Sequence, residues 1–317
     1  MKTATECFRA SEEQAGERLD ALLAQVLRVS RVWARELLAR GLVRVNGRAA
    51  RKGQAVGQGD VVEIERVEPP HEAPAAPDSQ LDLHVVFEDA DFVAVDKPAH
   101  VAAHPLKTGE LGTIANALVA RYPEMARVGF SPREPGLVHR LDTDTSGLLL
   151  AARNNKTFDA LRNAFARDRI DKRYTALCAG AVHAPQVIER PLGPERRGQR
   201  RVVVSQSATA TVRRTELLGS ETFPTAAELS LVEARMTRGY RHQIRVHLAD
   251  IGHPLAGDVL YGGPTLSDLH RHFLHASRIS FAHPTTLRDL VIESSLPNDL
   301  SSVLGRLRIS SRFREPD

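Results

Sequence analysis

One short stretch of the chain concentrates the groups that could do chemistry. Residues 136–147 read Gly-Leu-Val-His-Arg-Leu-Asp-Thr-Asp-Thr-Ser-Gly, with a histidine, an arginine and two aspartates between the glycines. The apolar run Leu148–Ala152 follows and Asn154-Asn155 ends it, which is typical of a short buried strand after a tight loop. A loop at the edge of a sheet can aim a carboxylate at a substrate, so Asp142 and Asp144 are candidate catalytic acids.

Two later stretches carry further polar groups on predicted regular elements. Residues 171–177 alternate as a strand does and contain Tyr174 beside two basic residues. Residues 243–251 have apolar side chains at helical spacing and contain Arg245. A lone tyrosine in a strand is most often half-buried with an exposed hydroxyl, so a functional interpretation depends on the rest of the pattern.

Together these stretches resemble the motifs of the RluA family of RNA pseudouridine synthases. The first motif is His-Arg-Leu-Asp at 139–142, followed by an apolar strand, and the second is Lys-Arg-Tyr at 172–174. The third is His-Gln-Ile-Arg-Val-His at 242–247, followed by Gly-His-Pro and Gly-Asp. The family usually has Gly-Arg-Thr before the third motif, where this chain has Gly-Tyr-Arg at 239–241. The resemblance implies that the chain isomerises uridine to pseudouridine in RNA.

The resemblance also implies a role for individual residues. Asp142 would be the essential carboxylate, Arg245 the partner that keeps it ionised, and Tyr174 a ring that packs on the target base and assists proton removal. Arg140, with His139 beside it, would fill the space that a flipped-out uridine leaves. The sequence leaves open whether Asp142 attacks the sugar, adds to the base or acts as a base. Because nothing is oxidised or hydrolysed, we expect no cofactor and no metal.

Two other functional classes compete with this interpretation. One is a non-catalytic RNA-binding or ribosome-assembly factor, against which the presence of Asp142, Tyr174 and Arg245 argues. The other is an RNA glycosylase, which would need a second carboxylate to activate water. We interpret the remaining acid, Asp144, as a cap of its own loop, because aspartate side chains commonly bond nearby backbone N–H groups.

The residues before position 67 predict a small basic domain. Helical patterns at 17–27 and 30–40 precede alternating residues and an Asn46-Gly47 turn, which indicate a small sheet. This order resembles, over residues 16–66, the RNA-binding domain named after ribosomal small-subunit protein four, here called S-four-like. Residues 28–52 contain eight basic residues and one acid, which favours phosphate contacts over a helical oligomerisation module with a basic surface. The predicted RNA contacts are Arg28, Arg31, Arg35, Arg44 and Lys52.

We therefore predict an α+β chain with two folded parts. An N-terminal extension (1–15) precedes the S-four-like domain (16–66), in which two helices accompany a small sheet. A Pro- and Ala-rich linker (67–80) leads to the catalytic domain (81–317). We expect this domain to hold a large, mostly antiparallel or mixed sheet with flanking helices and a central cleft.

The composition of the chain limits the classes of protein to which it can belong. The 42% hydrophobic and 26% charged content is that of a globular protein, and there is no apolar run of about 18 residues for a membrane span. The first residues lack the apolar core of a secretory signal, and two cysteines suggest neither a disulfide framework nor a thiolate metal site. We expect a cytoplasmic monomer whose partner is RNA, with ribosomal RNA favoured over transfer RNA by analogy with the S-four-like domain.

Overall fold

The computed structural model describes residues 5–65, 74–107, 109–195, 201–207, 210–224 and 228–312. At its N-terminal end, two helices pack on a four-stranded antiparallel sheet with the order β1-β4-β2-β3. The elements are β1 (Thr5–Arg9), α1 (Leu19–Val26), α2 (Arg31–Ala39), β2 (Val43–Val45), β3 (Arg48–Ala49) and β4 (Val61–Glu65).

Local sequence signals explain this small domain well. The Ser30 hydroxyl accepts a hydrogen bond from the Trp33 N–H (3.1 Å) and caps α2, as its residue type predicts. Asn46 and Gly47 both have positive φ (50° and 74°) and form the two-residue turn between β2 and β3. One difference concerns the boundary: β1 pairs with β4, so the small sheet includes residues that we had assigned to an extension before residue 16.

The predicted linker is partly attached to the rest of the chain. Residues 66–73 lie outside the described residues, but 74–80 contact the large domain. The Ala75 N–H donates to the Pro132 carbonyl (2.9 Å), and the Asn116 side-chain amide donates to the Ala76 carbonyl (2.7 Å). Ala75 is also buried. The second half of this segment is therefore not the loose tether that its composition indicated.

The large domain is built on one ten-stranded sheet, counted over the described residues. The strand order is β10-β9-β11-β12-β8-β13-β7-β6-β5, with β14 paired to β13, and all pairs are antiparallel except β7 with β13. The strands are β5 (Val85–Glu88), β6 (Phe92–Lys97), β7 (Ser146–Ala152), β8 (Asp171–Ala179), β9 (Gln186–Pro194), β10 (Val202–Val204), β11 (Thr211–Phe223), β12 (Leu229–Met236), β13 (Leu274–Ala282) and β14 (Asp289–Glu293).

Helices cover both faces of this sheet, and β7 is buried along its whole length. They are α3 (Ile114–Arg121), α4 (Asn155–Ala166), α5 (Gln243–Asp250) and α6 (Asn298–Arg312). Alternate residues of β7 enter different core clusters: Leu149 packs in the cluster that contains Ile244 of α5, and Leu150 in the one that contains Phe158 of α4. The predicted α+β class with a mixed, mostly antiparallel sheet is confirmed. Within the described residues, no helix combines the length and the apolar character that a membrane crossing needs.

Candidate active site

The Asp142 loop is fixed to the sheet at both ends by glycines. Gly136 and Gly147 have φ of 67° and 111°, a region that favours glycine. A Cβ on Gly147 would overlap the backbone of Ala276, because β7 and β13 pair at this point. A Cβ on Gly136 would likewise overlap the carbonyl of Ala152. The loop therefore has little freedom to move relative to the strands.

Buried cations hold the backbone of the loop. The Lys97 ammonium is fully buried and donates to the Thr143 carbonyl (2.9 Å) and to two carbonyls of its own turn (2.8 Å each). Burial, and then the nearby charge of Arg271, lower the pKa of Lys97 to about 7. Arg271 itself donates to the Asp144 carbonyl (3.0 Å). Sequence reasoning did not assign Lys97 or Arg271 to the site.

Asp142 lies next to Arg245, as the sequence predicted. Arg245 Nη1 donates to Asp142 Oδ2 (3.2 Å), and the Asp142 side chain remains 23% exposed. The same guanidinium donates through Nε and Nη2 to both oxygens of Asp258 (2.7 and 2.9 Å), whose side chain is 1% exposed. Burial alone would lower the pKa of Arg245, but the bonds to the two carboxylates raise it above its ordinary value.

Sequence reasoning missed Asp258 as a site residue. The signal was the Gly257-Asp258 pair after the third motif, which was read only as part of the resemblance. Its two charge-assisted bonds fix the plane of the Arg245 guanidinium, so the third donor, Nη1, faces Asp142. Asp142 thereby meets a cation whose position does not depend on Asp142 itself.

Tyr174 reaches the site through strand register. Ala276 of β13 pairs with Tyr174 of β8 on one side and with Gly147 of β7 on the other. The Tyr174 side chain is buried, and burial together with the negative charge of Asp142 raises the pKa of its phenol above the ordinary value. The phenol is therefore held protonated, which suits a packing role and opposes the proton removal that we predicted for it.

His242 is a further polar group at the carboxylate, and we had not assigned it to the site. It precedes α5 with a positive φ of 57°, and its Nε2 lies 3.8 Å from Asp142 Oδ2. Its Nδ1 lies 2.9 Å from the Tyr261 hydroxyl. Burial, ahead of the charges around it, lowers the pKa of His242. The histidine at the start of the third motif was the available signal.

The two predicted base-flipping residues have different surroundings. Arg140 is exposed beside the site. His139 instead accepts a hydrogen bond from the Leu150 N–H through Nε2 (3.0 Å), and its ring lies 5.0 Å from that of Phe165. Burial, and then neighbouring positive charges, lower its pKa well below the usual range. These contacts hold His139 against the sheet, and its RNA contact stays a prediction.

Asp144 also differs from its interpretation as a loop cap. Its Oδ1 pairs with His100 Nδ1 (3.0 Å), and its side chain is 48% exposed. The turn is closed by the Thr145 N–H, which donates to the Asp142 carbonyl (3.1 Å). The Asp144 side chain thus contacts His100, whereas the turn is closed by backbone groups.

In the small domain, three arginines meet on one buried acid. Asp20 has a 2% exposed side chain, and its carboxylate contacts the Nε atoms of Arg18, Arg31 and Arg35 at 2.9, 3.0 and 3.3 Å. About half of each arginine side chain remains exposed. The group keeps two net positive charges, and the guanidinium groups are fixed by the acid beneath them. Sequence reasoning found Arg31 and Arg35 but not Asp20.

The other predicted RNA contacts of this domain are spread out. Arg28 Nη2 pairs with Asp159 Oδ2 of α4 (2.8 Å), so its charge is partly offset by the large domain. Arg44 Nη1 donates to the Gly47 carbonyl (3.4 Å) and is exposed. Lys52 lines an open groove beside the β2–β3 hairpin together with other basic side chains.

One cluster has the composition of a metal site but the hydrogen bonds of a structural contact. Asp89, Asp91 and His283 place their ligand atoms within 4.8 Å of one another. His283 Nδ1 accepts from the Thr285 and Thr286 N–H groups (3.1 Å each), so its proton is on Nε2. Nε2 donates that proton to Asp89 Oδ2 (2.8 Å), and the lone pair on Nδ1 already accepts the two backbone N–H groups, so the ring has no lone pair left for a metal.

Comparison with known proteins shows which families the two parts of the chain match. The family described as RNA pseudouridylate synthase matches residues 91–250, and the S4 domain matches residues 17–62. The chain is 34% identical to the uncharacterized RNA pseudouridine synthase YlyB of Bacillus subtilis, covering 94% of this chain and 97% of that protein. It is also 34% identical to the ribosomal large subunit pseudouridine synthase D of Nitrosomonas europaea, covering 93% and 85%.

Solved structures show the same fold. Human RNA pseudouridylate synthase domain containing 4 superposes with a TM-score of 0.54 at 23% identity, over 71% of this chain and 93% of that one. The order of an S4 domain followed by a synthase domain matches the order that the sequence predicted. On the extent of these matches, the chain belongs to the RNA pseudouridylate synthase family.

Proposed function

We propose that Asp142 is the essential carboxylate of uridine isomerisation in this synthase. The observation that carries the proposal is the 3.2 Å contact between Arg245 Nη1 and an Asp142 carboxylate that remains 23% exposed. The arginine holds the carboxylate in a fixed direction, while its exposed part leaves room for a nucleoside to approach it. Asp144, the other acid of the loop, has no comparable cationic partner among the contacts described above.

The reaction requires few groups. The bond from ribose C1′ to N1 breaks, a bond from C1′ to carbon 5 forms, and one proton leaves carbon 5 while another is added to N1. An ionised carboxylate beside C1′ or beside the base can assist each of the three routes that the sequence left open. The site must also keep water from C1′, since hydrolysis there would release free base.

Neighbouring residues complete the proposal. The protonated Tyr174 packs in the core beneath the site and offers a ring face to the base. Arg140, exposed next to the Asp142 loop, is placed to occupy the space that the flipped uridine vacates. Both roles rest on the resemblance and on position, and both remain proposals.

For the RNA target, we propose large-subunit ribosomal RNA. The support is the similarity to relatives such as the ribosomal large subunit pseudouridine synthase D of Nitrosomonas europaea. Arg31 and Arg35, fixed on Asp20, together with Arg44 and Lys52, would bind phosphates of structured RNA near the target. Pseudouridine mapping after incubation with large-subunit ribosomal RNA and, separately, with transfer RNA tests this choice, and modification of transfer RNA alone would contradict it.

Asp142→Asn, with Asp144→Asn as the matched control, tests the catalytic assignment. Each variant is incubated with target RNA carrying tritium at uridine carbon 5, and released tritium and free uracil are measured. We expect Asp142→Asn to bind RNA as the unmodified protein does but to release no tritium, and Asp144→Asn to remain active. Tritium release by Asp142→Asn would refute the assignment. Free uracil from the unmodified protein would indicate a glycosylase.

A further inference from the structure

The hydrogen bonds around Tyr261 determine which nitrogen of His242 carries the proton. The Tyr261 hydroxyl donates to the Val202 carbonyl (3.0 Å) and accepts from the Val202 N–H (3.0 Å). Because its single proton is already used, the hydroxyl can only accept from His242 Nδ1, 2.9 Å away. In the neutral ring the proton is therefore on Nδ1, and Nε2 carries a lone pair.

This lone pair faces the site. Nε2 lies 3.8 Å from Asp142 Oδ2, and the His242 side chain is 13% exposed. The ring is held in this orientation by an edge-to-face contact with Tyr261, with ring centroids 5.8 Å apart. The charged groups that act on His242 are the carboxylates of Asp142 and Asp258 and the guanidinium groups of Arg241 and Arg245. A proton acceptor of fixed direction thus stands beside the candidate carboxylate.

From this geometry we propose that His242 is the base that removes the proton from carbon 5 of the target uridine. The inference rests on the proposed role of Asp142 and takes the route in which ribose C1′ lies at the carboxylate. Once the base has turned, carbon 5 is bonded to C1′, so its hydrogen leaves from a point beside Asp142. The electron pair of that C–H bond returns to the ring, Nε2 takes the proton, and N1 gains a proton from the site or solvent.

Charge favours this assignment over the alternatives. The imidazolium that forms would face the Asp142 carboxylate, which stabilises it. Tyr174 is held in its protonated form, so it would have to lose a proton before it could act as a base. His242 is also more exposed than Tyr174, which allows the captured proton to exchange with water. Such exchange is required if tritium from carbon 5 is to reach the solvent.

The test compares His242→Asn with His100→Asn on target RNA carrying hydrogen or deuterium at uridine carbon 5. Asparagine keeps a donor near the Nδ1 position, tolerates positive φ and lacks the Nε2 base. His100 shares the positive φ (64°) and also contacts an acid, Asp144, but is exposed on the surface. We expect His242→Asn to reduce kcat by about 10²–10⁴-fold, to show a larger primary isotope effect than the unmodified protein and to regain activity with added imidazole.

The outcomes separate this inference from the proposed function. His100→Asn should retain its activity and its isotope effect. If His242→Asn is slowed with an unchanged isotope effect and no imidazole rescue, or is not slowed, the inference is wrong, whereas an inactive Asp142→Asn would leave the proposed function standing. Should His242→Asn fail to fold, Tyr261→Phe keeps the imidazole but frees its tautomer. That variant is expected to be slower with a raised isotope effect, and an unchanged effect would overturn the inference.

Discussion

Replacing Asp258 by asparagine should destabilise the large domain more than replacing the catalytic candidate Asp142. The Asp258 carboxylate is almost fully buried and makes two of the three described carboxylate bonds of Arg245. Removing one member of a buried ion pair costs about 3–5 kcal/mol, because the other charge is left without compensation. Since Asp142 remains 3.2 Å from the guanidinium, we expect the lower end, about 3 kcal/mol.

The matched variant is Asp142→Asn. It leaves the bonds between Arg245 and Asp258 in place and removes one bond at a partly exposed group, so the expected loss is about 1 kcal/mol. In the double variant, which combines Asp142→Asn with Asp258→Asn, Arg245 has neither carboxylate. The stability that the double variant loses should therefore exceed the sum of the two single losses by about 0.5–3 kcal/mol.

Two spectroscopic signals in one urea titration measure the stability of the large and the small domain in each variant. Circular dichroism in the far ultraviolet follows the ten-stranded sheet, whereas the fluorescence of Trp33, the single tryptophan of the chain, follows α2 of the small domain. Asp258→Asn should shift the first transition and leave the second near its original midpoint. Equal small shifts for the two single variants, or an additive double variant, would refute the argument that Asp258 carries the buried charge of Arg245.

Three further predictions follow from buried groups. Asp20→Asn should weaken RNA binding in a filter-binding assay although the protein gains positive charge, because three arginines lose their common anchor; tighter binding would contradict this. Lys97 has a folded pKa of about 7 against about 10.4 unfolded, so the unfolded chain binds more protons between these values and stability should rise with pH there. Lys97→Met should lose that slope in urea titrations at several pH values. Gly147→Ala should reduce both stability and tritium release, because its Cβ would overlap the backbone of Ala276; unchanged activity would show that the loop can shift.

Much of the fold follows from local patterns in the sequence. The Ser30 cap, the Asn46-Gly47 turn and the apolar run of β7 each encode their structure within a few residues. The boundary at residue 16 was placed too late because β1 pairs with β4, more than fifty positions away. The segment 74–80 has the composition of a linker, but its backbone finds partners on the large domain that composition does not reveal.

The residues of the candidate site also fall into those that the sequence identified and those that only the structure revealed. Asp142, Tyr174 and Arg245 were identified from motifs, whereas Asp258, His242 and Tyr261 were not, because their importance lies in contacts between separate elements. For His139 the motif predicted an RNA contact next to Arg140, and the fold adds a bond from β7 to its Nε2 that the motif did not indicate. A motif identifies which residues belong together, and only the fold decides which of them face the substrate.

Two carboxylates contact Arg245, although one would be enough to balance its charge. The different contacts that they make explain why both are present. Asp258 takes Nε and Nη2 and so determines the orientation of the guanidinium, whereas Asp142 receives the single remaining contact through Nη1. A bidentate pair with Asp142 would engage both of its oxygens and hold the acid away from the substrate. With one contact, through Oδ2, Asp142 is held in a fixed direction while its second oxygen remains available to the nucleoside. The buried Asp258 thus fixes the guanidinium, and Asp142, which we propose as the reacting acid, meets it without losing its own exposure.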